Sequence, residues 1–433
     1  MLLRAQAPSE PYMTTTFTDP CAVPTSADAP AAAPNAGAMA ANVEVSLLTA
    51  GYDKPYASGI SMQLLSKNVR IDFIGGEEID GPELHTDPRL TFFNLRERLQ
   101  PNAGAFARLS RTLRYYLRLI GYAASARPRI FHILWNNKFD LFDRTLLLAY
   151  YNMLGKTVVF TAHNVNDGIR DNKDSFWNQL GLRAQYRLVD HIFVHTEKMK
   201  QELADSFAIP DGKVTLIPFG INNSVPNTSL SPAEAKKRLG LQPHHKTILF
   251  FGAIRPYKGL EHLVEAFQTI AAKHPDYRLI IAGQPRELEY FDAIRNNIER
   301  DPSREAIIQV TKFVPDEDTE LYFKAADVVV LPYTHIFQSG VLVLGYSFGL
   351  PVIASDVGSL RDDVVPGETG WLCPPCDPTA LAKAIERHFD SDLYSQLEQH
   401  RGAICKYAND KYSWDVAGER TLGVYRRLLK GSR

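Results

Sequence analysis

Short apolar strands alternate with helices along almost the whole sequence, and this alternation constrains the fold more than any other feature. The predicted strands are continuous apolar runs, such as residues 43–48, 157–161 and 328–331. Runs of this kind are typical of strands that are buried on both faces. A predicted helix lies between most successive strands, as in crossover connections between parallel strands. We therefore expect an α/β fold with doubly wound parallel sheets.

The chain length indicates two domains, because 433 residues are too many for a single hydrophobic core. Residues 1–40 are rich in Ala, Pro, Ser and Thr, so we expect a disordered tail there. We predict a first domain over residues 41–222, a second over residues 223–412 and a last helix in residues 413–433. A ligand is expected in the cleft between the domains.

The individual elements are predicted from the same apolar patterns. In the first domain we predict strands at residues 43–48, 70–74, 131–135, 157–161, 191–195 and 214–218. In the second domain we predict strands at residues 247–251, 277–282, 307–310, 328–331 and 352–354. Residues 75–100 are predicted to be loop-rich, and helices are predicted to begin at Ile60 and Phe106.

Composition excludes several classes of protein. With 45% hydrophobic and 22% charged residues the chain resembles an ordinary globular protein, and its net charge of −1 gives no general attraction to nucleic acid. Four cysteines in this length indicate a reducing compartment, and we interpret Cys373 and Cys376 as incidental thiols. The N-terminus lacks a signal-peptide pattern and no apolar run is long enough to span a bilayer, so we predict a cytoplasmic protein.

One strand-loop-helix-strand unit, residues 328–356, contains a candidate anion site. Its loop ends at Gln338 and leads through Ser339 and Gly340 into an apolar helix. Unpaired amides and the helix dipole at such an N-terminus favour a phosphate group. The alternative is that Gly340 only starts a core helix.

A second candidate anion site follows the strand at residues 247–251. The strand ends at Gly252, and the next loop places Arg255 and Lys258 just before a predicted helix. Arg can bind two oxygens of a diphosphate at once, and Lys acts as a compact charge. The alternative is a solvated pair of surface cations.

Three segments together resemble glycosyltransferase family 4, the retaining nucleotide-sugar transferases of the GT-B fold. They are FQSGVLVLGYSFGLPVIASDVGSLRDDVVPGETGWLCPP, FFGAIRPYKGLEHLVEAF and TAHNV, and the resemblance extends over most of residues 43–430. It implies two Rossmann-like domains facing a cleft, the first on the acceptor side and the second binding the nucleotide sugar. It also implies that the last helix crosses back onto the first domain. A nucleoside-diphosphate sugar is the expected donor, and neither a metal ion nor another cofactor is expected.

The resemblance also implies the site residues. Arg255 and Lys258 would bind the donor diphosphate, and His163 would contact the transferred sugar, so these three are the catalytic candidates. The other donor-binding candidates lie in loops that follow strands: Gly51, Gly252, Gly283, Phe313, Val314, Gln338, Ser339, Gly340 and Val341. In the retaining mechanism proposed for the family, the departing diphosphate helps to remove the acceptor proton on the same face. The acceptor implied is a glycan or lipid-linked hydroxyl, as in polysaccharide biosynthesis.

The sequence departs from the family at one pair of positions. The family carries two Glu residues around the phosphate loop, which contact the sugar and the ribose. Two alignments are possible, and neither supplies a carboxylate: one gives Ile336 and Leu344, the other Phe337 and Gly345. Two alternatives therefore stay open, a GT-B scaffold that binds without catalysis and a transferase that acts on small metabolites.

A predicted helix in the first domain has a basic face, formed by Arg108, Arg111, Arg114 and Arg118. No acidic residue occurs between Glu97 and Asp140. We expect the opposite face, with Leu109, Leu113, Tyr116, Leu117 and Ile120, to pack on the sheet of the domain. The basic face then predicts peripheral contact with an anionic membrane through charge. The alternatives are a solvated face and a face that holds an anionic acceptor in solution.

Overall fold

The structure, a computed structural model, describes residues 43–51, 53–97, 104–166, 168, 174–221 and 225–431, so the expected tail lies outside the described residues. The strands of the first sheet are β1 (Glu44–Leu48), β2 (Arg70–Gly76), β3 (Leu90–Arg96), β4 (Ile130–Ile133), β5 (Thr157–Thr161), β6 (His191–Val194) and β7 (Val214–Leu216). The strands of the second sheet are β8 (Lys246–Phe251), β9 (Tyr277–Ala282), β10 (Ile307–Val310), β11 (Val328–Leu331), β12 (Val352–Ser355) and β13 (Gly370–Cys373).

Both sheets are parallel and doubly wound, as predicted. The first has the strand order β3-β2-β1-β4-β5-β6-β7 and the second β10-β9-β8-β11-β12-β13. In each sheet the order reverses at one point, between β1 and β4 and between β8 and β11. Loops at such a reversal separate and leave a crevice beyond the carboxyl ends of the strands. The two crevices are the places where a ligand is expected.

Helices cover both faces of each sheet. The helices of the first half are α1 (Lys54–Ser66), α2 (Ala105–Ser125), α3 (Asp140–Phe142, continued by a π-helical turn at Asp143–Leu147 and by Leu148–Met153), α4 (Phe176–Leu188) and α5 (Glu197–Phe207). Those of the second half are α6 (Pro232–Arg238), α7 (Leu260–Ala271), α8 (Leu288–Arg300), α9 (Asp316–Ala325), α10 (Gly340–Ser347), α11 (Leu360–Asp363), α12 (Pro378–Phe389), α13 (Asp392–Ser395), α14 (Leu397–Lys411) and α15 (Trp414–Gly431). Short 3-10 turns occur at Pro82–His85, Asp211–Lys213, Pro256–Lys258 and Pro302–Ala306.

The prediction of loops throughout residues 75–100 was wrong, because β3 pairs with β2 in this region. β3 is the edge strand, and most of its side chains are partly or fully exposed. An edge strand does not need the continuous apolar run that identifies a central strand. Helix α1 also begins earlier than predicted, at Lys54, where the Asp53 carboxylate accepts a hydrogen bond of 3.2 Å from the Tyr56 amide.

Helix α15 follows the second sheet in the chain but packs on the first domain. Its Trp414 Nε1 donates a hydrogen bond of 2.8 Å to the Ile221 carbonyl. Further along, the Tyr425 hydroxyl lies 2.6 Å from His132 Nδ1 inside the first domain. Gly418 lets the helix approach α1 closely, since a Cβ there would lie 2.9 Å from the Gln63 Cβ. The last helix therefore ties the two halves of the chain together.

Helix α2 presents two apolar faces. Tyr115, Tyr116, Leu119 and Ala123 are buried. The prediction that Leu109, Leu113 and Leu117 pack on the sheet was wrong, because these side chains are 51%, 52% and 70% exposed. The aromatic and small side chains occupy the inward face, so the leucine row faces solvent. Among the helices of the described ranges, none is both long and apolar enough to cross a membrane.

Candidate active site

Loops from three neighbouring strands of the second sheet meet at the carboxyl end of β8. Gly252 ends β8 with φ of +94°, and a Cβ there would lie 2.9 Å from Lys258 Nζ and 3.5 Å from Val341 Cγ2. Gly283, which follows β9, lies so close that a Cβ would overlap the Gly252 carbonyl. The structure thus brings together four of the predicted donor-binding residues, and only glycine permits the approach.

Lys258 is a buried cation in this cluster. Its side chain is 7% exposed, and it forms no ion pair with a carboxylate of the described residues. Burial lowers the pKa of Lys258, the nearby charge of Arg255 adds to this effect, and together they bring the pKa to about 8. The Nζ lies 5.6 Å from the centroid of the Tyr333 ring. Two adjacent cations without a carboxylate are unfavourable unless an anion binds them.

The N-terminus of α10 adds backbone donors to the same place. The Ser339 hydroxyl caps the helix by accepting a hydrogen bond of 3.2 Å from the Leu342 amide. The amides of Gly340 and Val341 belong to the first turn of the helix, where the backbone lacks intrahelical acceptors. Gly340 lies near the first domain, because a Cβ there would be 3.6 Å from the Phe219 ring. This geometry suits a phosphate between the helix and Lys258.

The other donor-side candidates take less central positions. Gln338 is partly buried, and its Oε1 has no donor among the described residues. Phe313 is 65% exposed after β10, whereas Val314 packs against the core of the second domain. Gly51 belongs to the first domain, at the end of β1, with φ of +78°.

The positions of the family Glu pair are apolar and buried in the fold. Ile336 and Leu344 are 9% and 8% exposed, and Phe337 is 5% exposed. Gly345 packs against β11, since a Cβ there would lie 3.2 Å from Val329 Cγ2. A carboxylate at these positions would be desolvated.

His163 lies at the end of β5 in the first domain, in a stack of aromatic rings. Its ring is parallel to that of Trp135 at 4.3 Å between centroids, and the Tyr56 ring meets it edge-on at 4.7 Å. Burial lowers the pKa of His163 well below its usual range, and the imidazole of His195 adds to this effect. His163 is therefore neutral at physiological pH.

Hydrogen bonds determine the tautomer of His163. His195 Nδ1 lies 3.2 Å from the Ile217 carbonyl, which can only accept, so His195 carries its proton on Nδ1. Its Nε2 then accepts from His163 Nδ1 at 3.1 Å. His163 Nε2 is left with a lone pair and has no partner among the described residues. A neutral imidazole of this kind can accept a hydrogen bond from a sugar hydroxyl.

Two cavities surround these residues. One of about 760 Å³ lies in the first domain at the carboxyl ends of β4 and β5 and includes His163. The other, of about 530 Å³, lies between the domains, where Lys198 and Glu202 of the first face residues 334–337 of the second.

The sequence reasoning missed several residues of the larger cavity, namely Asn136, Arg144, Trp177, Asn178 and Gln185. The available signals were the two asparagines directly after β4 and an arginine within the apolar helix α3.

The described residues contain no group of three or more His, Cys, Asp or Glu side chains arranged to hold a metal ion. Cys373 is buried in β13, and burial raises the pKa of its thiol to about 12. Cys376 is exposed in the turn that follows. A thiol with such a raised pKa is a weak nucleophile and a weak metal ligand.

Comparison with known proteins agrees with this architecture. Residues 36–225 match the model described as Glycosyltransferase Family 4, and residues 245–391 match Glycosyl transferases group 1. The D-inositol 3-phosphate glycosyltransferase of Acidothermus cellulolyticus is 31% identical over 254 residues, which are 56% of this chain and 54% of that protein. An uncharacterised glycosyltransferase of Methanocaldococcus jannaschii is 27% identical over 238 residues, 54% of this chain and 59% of that protein. The chain thus spans just over half the length of these curated relatives.

Solved structures resemble the fold over almost its whole length. Sucrose-phosphate synthase from Thermosynechococcus elongatus has a TM-score of 0.70 at 18% identity and covers 90% of this chain and 100% of its own. Anabaena HepE in complex with UDP and glucose has a TM-score of 0.69 at 15% identity and covers 88% and 99%. At such identities the likeness concerns the fold alone, two Rossmann-like domains that face a cleft. With both halves matched by glycosyltransferase models, the chain belongs to glycosyltransferase family 4 and has the GT-B fold.

Proposed function

We propose that this protein is a retaining glycosyltransferase that moves a sugar from a nucleoside-diphosphate sugar to a hydroxyl of a glycan or lipid-linked acceptor. One observation carries the proposal: Lys258 is buried beside Arg255, with no carboxylate partner among the described residues, where Gly252 and the N-terminus of α10 converge. A diphosphate is the ligand that this arrangement suits, since its oxygens supply charge and hydrogen-bond acceptors together.

In the proposed reaction the protein acts mainly through electrostatics. As the bond between the sugar and the diphosphate breaks, negative charge grows on the leaving oxygen. Arg255, Lys258 and the amides of residues 339–341 stabilise that charge. The departing diphosphate takes the proton of the acceptor hydroxyl on the same face, so the anomeric configuration is retained. The neutral His163 holds a hydroxyl of the transferred sugar through Nε2, and two side-chain cations replace a metal ion.

The neighbouring structures support the choice of donor. The Anabaena HepE structures contain UDP with glucose in one case and UDP-glucose in another.

The acceptor proposal rests on the family alone. A second candidate, transfer to a small metabolite, is favoured by the cavity of about 760 Å³ and by relatives named for D-inositol 3-phosphate. A binding scaffold without catalysis is the third candidate, because neither possible alignment, with Ile336 and Leu344 or with Phe337 and Gly345, supplies the two Glu residues of the family.

Nucleotide binding tests the proposal. The full chain is titrated with a panel of nucleoside diphosphates in a calorimeter, and the same panel is repeated with Lys258→Met. Loss of a charge-assisted contact of roughly 1.5–3 kcal/mol should weaken the preferred nucleotide by about ten- to a hundredfold. Lys273→Met is the matched control, since Lys273 is exposed after α7. Equal affinity in wild type and Lys258→Met would overturn the assignment, and binding without donor turnover would favour the scaffold.

We also propose that the protein works in the cytoplasm, at the inner face of a membrane, and that α2 makes the contact. The basic face of α2 carries less net charge than the sequence predicted, because Glu97 pairs with Arg114 at 3.2 Å and with Arg118 at 2.7 Å. Arg111 lies 3.4 Å from Glu78. The basic face is thus partly neutralised. The exposed Leu109, Leu113 and Leu117, with Phe106 at 84% exposure, add a shallow apolar contact that the sequence did not predict.

A further inference from the structure

The cavity of the first domain is lined by groups that suit a polar ligand. Amide side chains from Asn136, Asn137, Asn164, Asn178 and Gln185 line it together with two tryptophan rings. Asn136 and Gln185 bind each other through two hydrogen bonds of 3.1 Å. Planar amides beside aromatic faces bind hydroxyl-rich ligands well, because they donate and accept within one plane.

Arg144 is the cation of this cavity, and its hydrogen bonds are incomplete. The residue is 8% exposed, and its Nη1 donates a bond of 2.7 Å to Asn178 Oδ1. Its Nε has no acceptor among the described residues. The Asp140 carboxylate lies 3.7 Å from Nη2, beyond hydrogen-bond distance, and this side chain is 61% exposed. Among the described residues, no acceptor lies within hydrogen-bond distance of the Nε and Nη2 edge, which is the edge that binds carboxylates and phosphates in pairs.

Two other acids of the described part of this region, Asp143 and Asp174, form hydrogen bonds with groups other than Arg144. Asp143 accepts hydrogen bonds from the Tyr116 hydroxyl at 3.0 Å and from Asn137 Nδ2 at 3.2 Å. Burial raises the pKa of Asp143 to about 6, and among the described residues Arg144 is paired with Asp140 and not with Asp143. The Asp174 carboxylate accepts from Asn178 Nδ2 at 2.8 Å and from Gln179 Nε2 at 2.6 Å.

The local backbone holds Arg144 in this position. Arg144 lies in the π-helical turn Asp143–Leu147, and such a turn is a distortion that is frequent at functional sites. On the facing helix α4, Gly181 leaves room for the arginine, since a Cβ there would lie 3.4 Å from Arg144 Cδ. The same cavity contains His163, on the acceptor side of the proposed reaction.

We propose that Arg144 binds an anionic oxygen group of the acceptor, a phosphate ester, while the amides around it hold the acceptor hydroxyls. The phosphate belongs to a small polyol phosphate or to a lipid head group, and the two share this chemistry. The inference rests on the proposed function and names its acceptor class. On binding, the phosphate oxygens replace Asp140 beside the Nε and Nη2 edge.

Calorimetry with the full chain tests the site, using glycerol phosphate and inositol phosphate as probes and glycerol and inositol as neutral counterparts. The measurements are repeated with Lys258→Met, so that binding at the donor loop is recognised. We expect phosphates to bind and the neutral polyols to bind at least tenfold more weakly. Arg144→Met should lose about ten- to a hundredfold in phosphate affinity while its nucleoside-diphosphate affinity stays within twofold. Arg183→Met, exposed on α4, is the control and should bind like wild type.

A second pair of variants covers the case in which Arg144→Met does not fold. Arg144→Lys keeps the charge but loses the paired donors, so it should bind phosphate more weakly. Asp140→Asn removes the competing carboxylate at an exposed position and should bind phosphate several-fold more tightly. Unchanged phosphate affinity in both variants would overturn the inference, as would equal binding of the neutral polyols.

Vesicle binding distinguishes the two sources of the phosphate, a lipid head group and a small polyol phosphate. Binding to phosphatidic acid in phosphatidylcholine that is lost in Arg144→Met and competed by inositol phosphate indicates a lipid head group. Binding of the free probes alone indicates a small metabolite. If neither the probes nor the vesicles depend on Arg144 but nucleoside diphosphates still bind through Lys258, the acceptor inference fails and the proposed function stands. If nucleoside diphosphates also bind independently of Lys258, the proposed function fails as well.

Discussion

Protonation of Lys258 should be coupled to the binding of the proposed diphosphate. In the free protein its pKa is about 8, whereas a bound diphosphate stabilises the cation and raises that pKa. Near pH 8 the binding of a nucleoside diphosphate should therefore take up a fraction of a proton, and affinity should fall as pH rises above 8. Calorimetry in two buffers of different ionisation enthalpy measures this uptake. It should disappear in Lys258→Met and persist in Lys273→Met, and zero uptake in wild type would exclude the coupling.

The same shift predicts how stability depends on pH. An unfolded lysine has a pKa of about 10.4. Between pH 8 and that value the unfolded chain binds more protons at this position than the folded one. The free-energy cost of burying Lys258 therefore falls as pH rises. The contribution of Lys258 to the free energy of unfolding thus increases through this window.

We expect His163 to act on turnover more than on nucleotide affinity, because it lies in the first domain and its Nε2 is proposed to accept a hydrogen bond from the transferred sugar. His163→Ala should lower turnover by about three- to tenfold, the effect of one hydrogen bond, and leave nucleotide affinity unchanged. Since its pKa lies well below the usual range, the rate should show no His163 titration between pH 6 and 8. Steady-state kinetics checks both, and normal turnover in the variant would make His163 a structural residue.

Candidate site residues can be singled out from the sequence where the signal is local. Lys258 and His163 follow strand ends within a few residues, so the sequence could single them out. Arg144 could not be found in this way, because its environment depends on Asn178 and Gly181 from another helix. The tautomer of His163 likewise depends on Ile217, which belongs to a different part of the sheet.

Among the elements, central strands were predictable because burial on both faces requires continuous apolar runs. β3 was not, since the edge of a sheet tolerates polar side chains, and β13, an edge strand of the second sheet, was not predicted either. Helix α2 shows a different limit of prediction from sequence. Its periodicity identified an amphipathic helix, but two apolar rows occur on it and the sequence does not say which one faces the sheet.

The exposed row of α2 predicts a mixed apolar and electrostatic contact with membranes. Full-length protein should co-sediment with anionic vesicles more than with neutral ones, and less at high salt. Replacing Leu109, Leu113 and Leu117 by Gln should lower the bound fraction, whereas Leu288→Gln, 70% exposed on α8, should not. Wild-type binding by the triple variant, and by a variant with all four arginines changed to Gln, would show that α2 is not the contact.

At the scale of the whole molecule, α15 is the element that joins the two halves. The boundary predicted at residues 222 and 223 lies outside the described residues and stays a prediction. The structure shows where Trp414 packs. Its ring lies so close to Gly59 and Gly220 that a Cβ on either would overlap it. Contacts between residues that are far apart in the chain cannot be deduced from local patterns.

Two glycine substitutions test the packing of Trp414 against α1. Gly59→Ala in α1 should destabilise the protein by about 1–3 kcal/mol, because the new methyl group overpacks against Trp414. Gly423→Ala in α15 meets nothing within 4 Å and should stabilise it by about 0.5–1 kcal/mol through helix propensity. Thermal unfolding measures both. Equal shifts of the same sign would contradict the packing of α15 on α1.

The central claim is that the Lys258 site binds the diphosphate of a nucleotide sugar and that transfer retains the anomeric configuration. The most direct measurement is NMR of the sugar released at early times, when the full chain slowly hydrolyses a panel of nucleoside-diphosphate sugars. We predict that one donor is hydrolysed to the sugar with the donor's configuration, and that Lys258→Met slows this at least about tenfold. Release of the opposite anomer, or equal rates in wild type and Lys258→Met, would contradict the account.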